Sequence, residues 1–243
     1  MASLAAVIIV ETAGAADAPS ASDTLLGAAS PPSPSAPIPA PPRVAVIGDS
    51  LIVQTLTEQA AALQGRGFDP VIYGRAGVPL SDAWMQGHLA AVAEDRAVTT
   101  VVLATASNDN LEAAGRASMV GPTAAVAEYR ARLEAAIAQL ADRCVVVVDV
   151  RSTSTSIYAP ELAPRTNVAI AEVAASRPRR VVEVDWDAMS RSHQADWFIS
   201  DALHFDDIPS RGNRHQAGAD AYAAAIAEGV ARCAAESGTP PGT

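Results

Sequence analysis

The 243-residue chain carries 17 Lys+Arg against 27 Asp+Glu, a formal net charge of −10, and every one of its basic residues is Arg. That balance excludes the basic footprint of a nucleic-acid binder and the cationic patches that hold a protein on an anionic membrane. Two cysteines, Cys144 and Cys233, are too few for a disulfide-dense mini-fold or a Cys-based structural zinc site, and they do not form a CxxC pair.

Residues 1–42 hold 8 of the 17 prolines and no Lys, Arg or His. Leu4 to Val10 (LAAVIIV) is an apolar run, and the small residues of Ala13 to Ala18 follow it. The pair has the outline of a secretory signal without a basic n-region, and the run is far too short to span a bilayer. Ser30 to Pro42 (SPPSPSAPIPAPP) reads as an extended, semi-rigid linker. The expected organisation is a leader over 1–42 (a weak signal or the remnant of an anchor), one domain over 43–236 and a disordered tail over 237–243. The linker points to an extracytoplasmic location, secreted or tethered to the envelope, with a cytoplasmic one as the alternative. No stable membrane insertion of the body is expected.

From Arg43 onward strand and helix patterns alternate. Val44–Ile47 reads as a buried strand, Leu51–Leu63 as a helix, and Val71–Tyr73 as a second strand. A helix capped by Ser81 should run to about Asp95, followed by a third strand over Val98–Ala104. Thr123 is a candidate cap for a helix through Leu140, with Val126, Leu133, Ile137 and Leu140 near helical spacing. Cys144–Val150 (CVVVVDV) is the fourth strand, Pro160–Ala175 a helix, Val181–Val184 the fifth strand and Ala217–Ala235 the last helix. Continuous Val/Ile runs mark strands buried on both faces. Five of them alternating with helices predict an α/β fold with a parallel sheet covered on both sides.

The first strand ends in Gly48-Asp49-Ser50 and a helix follows at once. Ser50 is thereby placed at the carboxyl edge of a parallel strand, where open α/β sheets bind ligands, and at a helix N-terminus, where free N–H groups stabilise an anion. An N-cap alone would also explain it. Near the C-terminus, Asp201 and His204 stand in an Asp-x-x-His spacing. A serine hydroxyl needs a base titrating near neutrality, and the base needs an acceptor that fixes its tautomer. His204 fits the first role and Asp201 the second. The other histidines, His88 in a helical stretch and His193 and His215 in polar loops, are expected to be solvated. Asn108 follows the third strand, where its side-chain N–H can donate to an oxyanion, and Gly77 follows the second, where a glycine lets a backbone N–H approach a substrate. A turn residue and a turn glycine are the plainer readings of these two.

Taken in order, Ser50 after strand one, Gly77 after strand two, Asn108 after strand three and Asp201-x-x-His204 before the last helix resemble the SGNH (GDSL-type) hydrolase family. The resemblance spans Arg43 to about Arg232. It implies a flavodoxin-like three-layer αβα sandwich with a five-stranded parallel sheet in the order 2-1-3-4-5. It also implies a nucleophile (Ser50), a base and its orienting acid (His204 and Asp201), and an oxyanion hole of the Ser50 and Gly77 N–H groups with the Asn108 side chain. No metal or organic cofactor is implied. Ala106 departs from the glycine that usually opens the family's third block, and the segment Phe205–Ala217 is longer than the usual link after the histidine; Arg211, Arg214 and His215 lie in it. The loop after strand two and the segment DWFISDALHF are similar to SGNH domains that accompany bacterial membrane acyltransferases.

The expected function is hydrolysis of small acyl (acetyl-type) esters, on a small molecule or an acylated glycan, through an acyl-enzyme. No long lid insertion is visible to shelter a long acyl chain. An O-acyltransferase that modifies a cell-envelope glycan uses the same residues with a different acceptor. A non-catalytic glycan- or partner-binding scaffold is the third reading, since fold does not imply function. A nucleotide binder is disfavoured, because no glycine-rich phosphate loop follows strand one. In a doubly wound sheet Cys144 starts its strand at the edge opposite the site, and a last helix of about 16 residues between Ala217 and Cys233 reaches back about 24 Å. A disulfide there and two free thiols are both compatible with the sequence.

Overall fold

The computed structural model describes residues 40–140, 142–153, 161–206 and 214–236. Expectations for the leader before residue 40, for the helix start at Pro160, for Arg211 and for the tail after residue 236 fall outside them. In chain order the elements are β1 (Arg43–Gly48), α1 (Ser50–Gln54), α2 (Leu56–Gln64), β2 (Asp69–Gly74), α3 (Ala83–Glu94), β3 (Val98–Ala104), α4 (Ala106–Val120), α5 (Pro122–Gln139), β4 (Cys144–Val148), α6 (Leu162–Ala175), β5 (Val181–Val184), α7 (Trp186–Ser190), α8 (Gln194–Trp197) and α9 (Gln216–Glu236).

The five strands pair in the order β2-β1-β3-β4-β5, all parallel. Alternate side chains of each strand enter opposite cores. Val44, Val46, Val102, Val146 and Val184 meet α2 and α9 through Leu63, Tyr222, Ile226 and Val230 on one face. Ala45, Ile47, Val101, Leu103 and Val147 meet α3, α5 and α6 through Leu89, Leu133, Ile137 and Ile170 on the other. Each fully buried Val, Leu or Ile contributes about 1.5–3 kcal/mol over its exposed state. A one-residue slip of β1 exchanges its two cores, which pins the register.

Local chemistry shifts several boundaries from the expected ones. The helix expected over Leu51–Leu63 is broken at Thr55, whose hydroxyl donates to the Leu51 carbonyl at 2.7 Å while its N–H turns to the Ile52 carbonyl. Such back-bonding competes with the helical ladder. The cap of α3 is Asp82, accepting from Trp84 N at 2.8 Å, whereas Ser81 donates to Glu112. Gly121, at φ +84°, precedes Pro122 at the first position of α5, so Thr123 is not its cap. The strand β2 extends on both sides of the expected stretch, and its first residue, Asp69, accepts from Arg43 at 2.9 Å. The helix α4 was not expected at all. Its buried apolar contribution is small, centred on Ala113 against Ala125 of α5 and Leu162 of α6. The short helices α7 and α8, joined by a 3-10 turn over Arg191–His193, were also unforeseen.

Cys144 and Cys233 form a disulfide, with Cα atoms 5.7 Å apart. The bond ties the amino end of β4 to the last turns of α9 and settles the alternative left open by the sequence. It closes a loop with a sequence separation of 89. The chain-entropy relation gives about 4.6 kcal/mol for a loop of that length, and disulfides typically deliver about 2–4 kcal/mol. Denaturant titrations with and without reductant, or of the Cys144→Ser/Cys233→Ser pair, should show a loss of that size with the fold retained at low denaturant.

Candidate active site

The carboxyl end of β1 stops against β3. A Cβ on Gly48 would lie 2.7 Å from the Ala104 carbonyl oxygen and 2.3 Å from Ile52, so only glycine fits the crossing from strand to helix. Asp49, 1% exposed, follows. Its N–H donates to the Ala104 carbonyl at 3.1 Å, and its carboxylate caps α1 by accepting from Leu51 N at 3.1 Å. The other carboxylate oxygen accepts from Asn108 Nδ2 at 3.0 Å. Burial pushes the Asp49 carboxyl up to about 6, against the pull of these donors. Ser50, the first residue of α1, stands half-buried above this anchor.

The partner of Ser50 comes from the far end of the domain. His204 Nε2 lies 2.9 Å from Ser50 Oγ, and His204 Nδ1 lies 2.6 Å from Asp201 Oδ2. The turn bearing both residues is closed by Ala202 N to the Ile199 carbonyl and Ile199 N to the His204 carbonyl, at 2.9 and 2.8 Å. Asp201 Oδ1 accepts from the N–H groups of Leu203 and His204 at 2.9 and 3.0 Å. Burial pushes the Asp201 carboxyl up, but the His204 ring and these backbone donors outweigh it and hold the group below the ordinary aspartate value. Gln54, buried four residues beyond Ser50, ties the two halves together. Its amide donates to the Asp206 carbonyl at 3.2 Å and accepts from Phe205 N at 3.0 Å.

Asn108 sits in the first turn of α4 rather than in a loop, and Ala106 opens that helix buried in the core. Its neighbour Asp109 accepts from Leu80 N at 2.9 Å, joining α4 to the segment after β2 that contains Gly77. Burial pushes Asp109 up to about 7. Gly77 is exposed with φ +77°, a conformation that glycine adopts without steric cost. Among the described residues no cluster of His, Cys, Asp and Glu is placed to hold a metal ion, and no helix is long and apolar enough to cross a membrane.

The other histidines are less solvated than expected. His88 packs between Tyr73 and Trp84 at centroid distances of 4.3 and 4.4 Å, and burial lowers its pKa. His193 stacks on Trp197 at 3.8 Å. The His215 ring places Nδ1 2.9 Å from the Asp196 carbonyl oxygen. Arg214 bonds the Gln54 carbonyl, Glu58 and Gln216, so it closes the start of α9 onto the first helices. Sequence reasoning passed over Asp49, Gln54, Asp109 and Arg151. Two of them left a signal: Gln54 is the polar residue that ends the apolar run Leu51-Ile52-Val53, and Arg151 follows the largely apolar stretch Cys144–Val150, of which β4 takes Cys144–Val148.

The family described as SGNH domain (fused to AT3 domains) matches residues 18–207, a span holding Ser50, Gly77, Asn108, Asp201 and His204. No curated protein matches the chain in sequence. Solved structures are similar in fold. The C-terminal catalytic domain of Streptococcus pneumoniae peptidoglycan O-acetyltransferase A is 18% identical, with TM-score 0.60, over 80% of this chain and 96% of that one. The lipase/acylhydrolase from Enterococcus faecalis is 14% identical, with TM-score 0.55, over 77% and 94%. The psychrotrophic esterase EstA from Pseudoalteromonas sp. is 14% identical, with TM-score 0.55, over 79% and 97%.

A further carboxyl at this edge, Asp149, accepts from Asp187 N at 2.9 Å. Burial pushes it up to about 8, and Asp185, Asp187 and Glu183 add to the effect. Between the unfolded aspartate value and about 8 the folded chain holds a proton that the unfolded chain has lost, so this group makes stability fall as pH rises through that window. Asp149→Asn keeps an acceptor for Asp187 N and removes the titration. Urea midpoints should show the variant more stable than the parent at pH 9, by on the order of 1 kcal/mol or more, with the gain gone below about pH 4.

Proposed function

The chain belongs to the SGNH domain family (fused to AT3 domains), and on that premise we propose that it is a serine esterase for small acyl esters, acting on a small molecule or an acylated glycan. The observation that carries the reading is the continuous chain of hydrogen bonds from Ser50 Oγ through the His204 ring to Asp201. It joins a hydroxyl at a helix N-terminus to an imidazole whose far nitrogen faces a carboxylate. Ser50 Oγ attacks the acyl carbonyl as His204 Nε2 takes its proton, and Asp201 holds the tautomer and stabilises the imidazolium. The oxyanion is received by the Ser50 N–H, the Gly77 N–H and Asn108 Nδ2. Collapse transfers the proton from His204 to the departing alcohol and leaves an acyl-Ser50, which water attacks with the same base. The side-chain amide nitrogen of Asn108 carries two hydrogens, so it can hold Asp49 with one and donate to the oxyanion with the other.

A second reading changes only the acceptor, with a glycan hydroxyl replacing water. The family's description as fused to AT3 domains and the fold shared with a peptidoglycan O-acetyltransferase catalytic domain favour it. Partition of an acetyl donor between water and a sugar acceptor separates the two. The Cys144–Cys233 disulfide supports an oxidising, extracytoplasmic compartment for either.

On p-nitrophenyl esters of increasing chain length, acetate and propionate should be turned over best, and Ser50→Ala should lower kcat by on the order of 10⁴–10⁶ with the melting curve retained. Residual activity near that of the parent would remove Ser50 from the mechanism. Asn108→Ala should lower kcat by about 10²–10³ with little change in KM, because an oxyanion contact forms in the transition state.

A further inference from the structure

Resting on that reading of Ser50, His204 and Asp201, we propose that Arg151 is a positioning residue, a buried strut that holds the Asp201–His204 turn in the conformation that presents the imidazole to Ser50. Arg151 is 2% exposed. Among the described residues its Nε and Nη2 have no hydrogen-bond partner, and the Asp187 charge favours the guanidinium without bonding to it. A guanidinium is costly to bury in that state, so its contacts must offset the loss of water. Two are present. Nη1 donates to the Ala202 carbonyl at 2.8 Å, and Cζ lies 3.9 Å from the centroid of the Phe198 ring.

Ala202 is the only described non-glycine residue with positive φ, at +55°. An L-residue with a Cβ is strained there unless its surroundings over-determine it. Ala202 follows Asp201 directly and stands two residues before His204. Asp201 Oδ1 also binds the N–H groups of Leu203 and His204. A rotation at Ala202 would therefore swing the carboxylate relative to the ring it faces. The bond to the Ala202 carbonyl opposes that rotation.

The strut is anchored at its other end. On one side of Arg151, the Asn167 side chain of α6 receives the Val150 N–H at 2.9 Å and donates to the Val150 carbonyl at 2.7 Å. On the other side, the Ser152 N–H and hydroxyl donate to Asp187 of α7 at 2.7 and 2.8 Å. Asp187 in turn accepts from Arg191 at 2.7 Å, and its N–H donates to Asp149. Phe198 is wedged between Trp186 and Phe205, with centroids 6.0 and 5.5 Å away. The guanidinium thus transmits the rigidity of the β4 edge to the turn without touching a reacting atom.

The test uses the full chain with its disulfide intact and three variants: Arg151→Met, Arg151→Lys and the pair Arg151→Met/Ala202→Gly. The first readout is kcat and KM on p-nitrophenyl acetate, with the rate of Ser50 labelling by a fluorophosphonate. The second needs no turnover: the downfield proton resonance of His204 Nδ1–H bonded to Asp201. Arg151→Met should lower kcat and the labelling rate about 10- to 100-fold with KM within about twofold, since an ångström of misplacement costs about that much. It should also broaden or shift the resonance. Arg151→Lys, which keeps a donor without the stacking fork, should fall between parent and Arg151→Met, and it carries the test if Arg151→Met does not fold. Glycine takes positive φ without strain, so the double variant should recover a large part of the loss. A role in packing alone would not be relieved by that second change. A folded Arg151→Met with parental rate and resonance, or a double variant no faster than Arg151→Met, overturns the proposal. A parent chain inert to esters and probe overturns the esterase reading instead, and the resonance then decides on Arg151 by itself.

Discussion

A parallel sheet that is apolar on both faces leaves its polar residues one useful exit, the carboxyl edge. Val44 to Ile47 and Val101 to Leu103 offer no place for a charge, because every second side chain enters one core and the rest enter the other. Asp49, Asn108 and Asp149 all stand just beyond a strand end, and the parallel direction brings those ends to the same side of the molecule. Strand order then does the rest: β1 lies beside β3, so Asp49 and Asn108, 59 residues apart in sequence, meet through one hydrogen bond.

Beneath the residues that solvent reaches lies a tier of polar groups that it does not reach. Asp49 fixes Asn108 and the start of α1, Gln54 fixes the segment after His204, and Asp109 fixes the segment carrying Gly77. Each is nearly sealed from water, where an unmade hydrogen bond is expensive and a made one is geometrically strict. The raised pKa values of Asp49 and Asp109 reflect the loss of water around their carboxyls. Two carboxyls held in low dielectric tax stability near neutrality in exchange for fixed side-chain directions.

The strands were legible from their Val/Ile runs, although β2, an edge strand, is only half-buried along its length, and the order of Ser50, Gly77, Asn108 and Asp201-x-x-His204 along them pointed to the candidate site. What was hidden follows from the same physics. The polar sequence Ala106-Ser107-Asn108-Asp109-Asn110 has no apolar stripe, because α4 rests on small contacts of Ala113 and on hydrogen bonds at its start, so periodicity could not reveal it. The break at Thr55 depends on a single hydroxyl. Asp82 displaces Ser81 as a cap because only the aspartate reaches Trp84 N. Gln54 and Arg151 act through partners 151 and 51 residues away, and no local pattern encodes such a distance.

Ser50 belongs to the first strand–helix unit and His204 to the last loop before α9, a separation of 154 residues. Synthesis releases these two residues at opposite ends of the process. Until β3, β4 and β5 have paired and α9 has docked across β4, the serine hydroxyl lacks the imidazole that faces it in the folded chain. Contacts of such long range form late and slowly. Completion of the fold is therefore the step that sets the imidazole beside the hydroxyl, and a truncated or half-assembled chain carries the GDS sequence without that hydrogen bond.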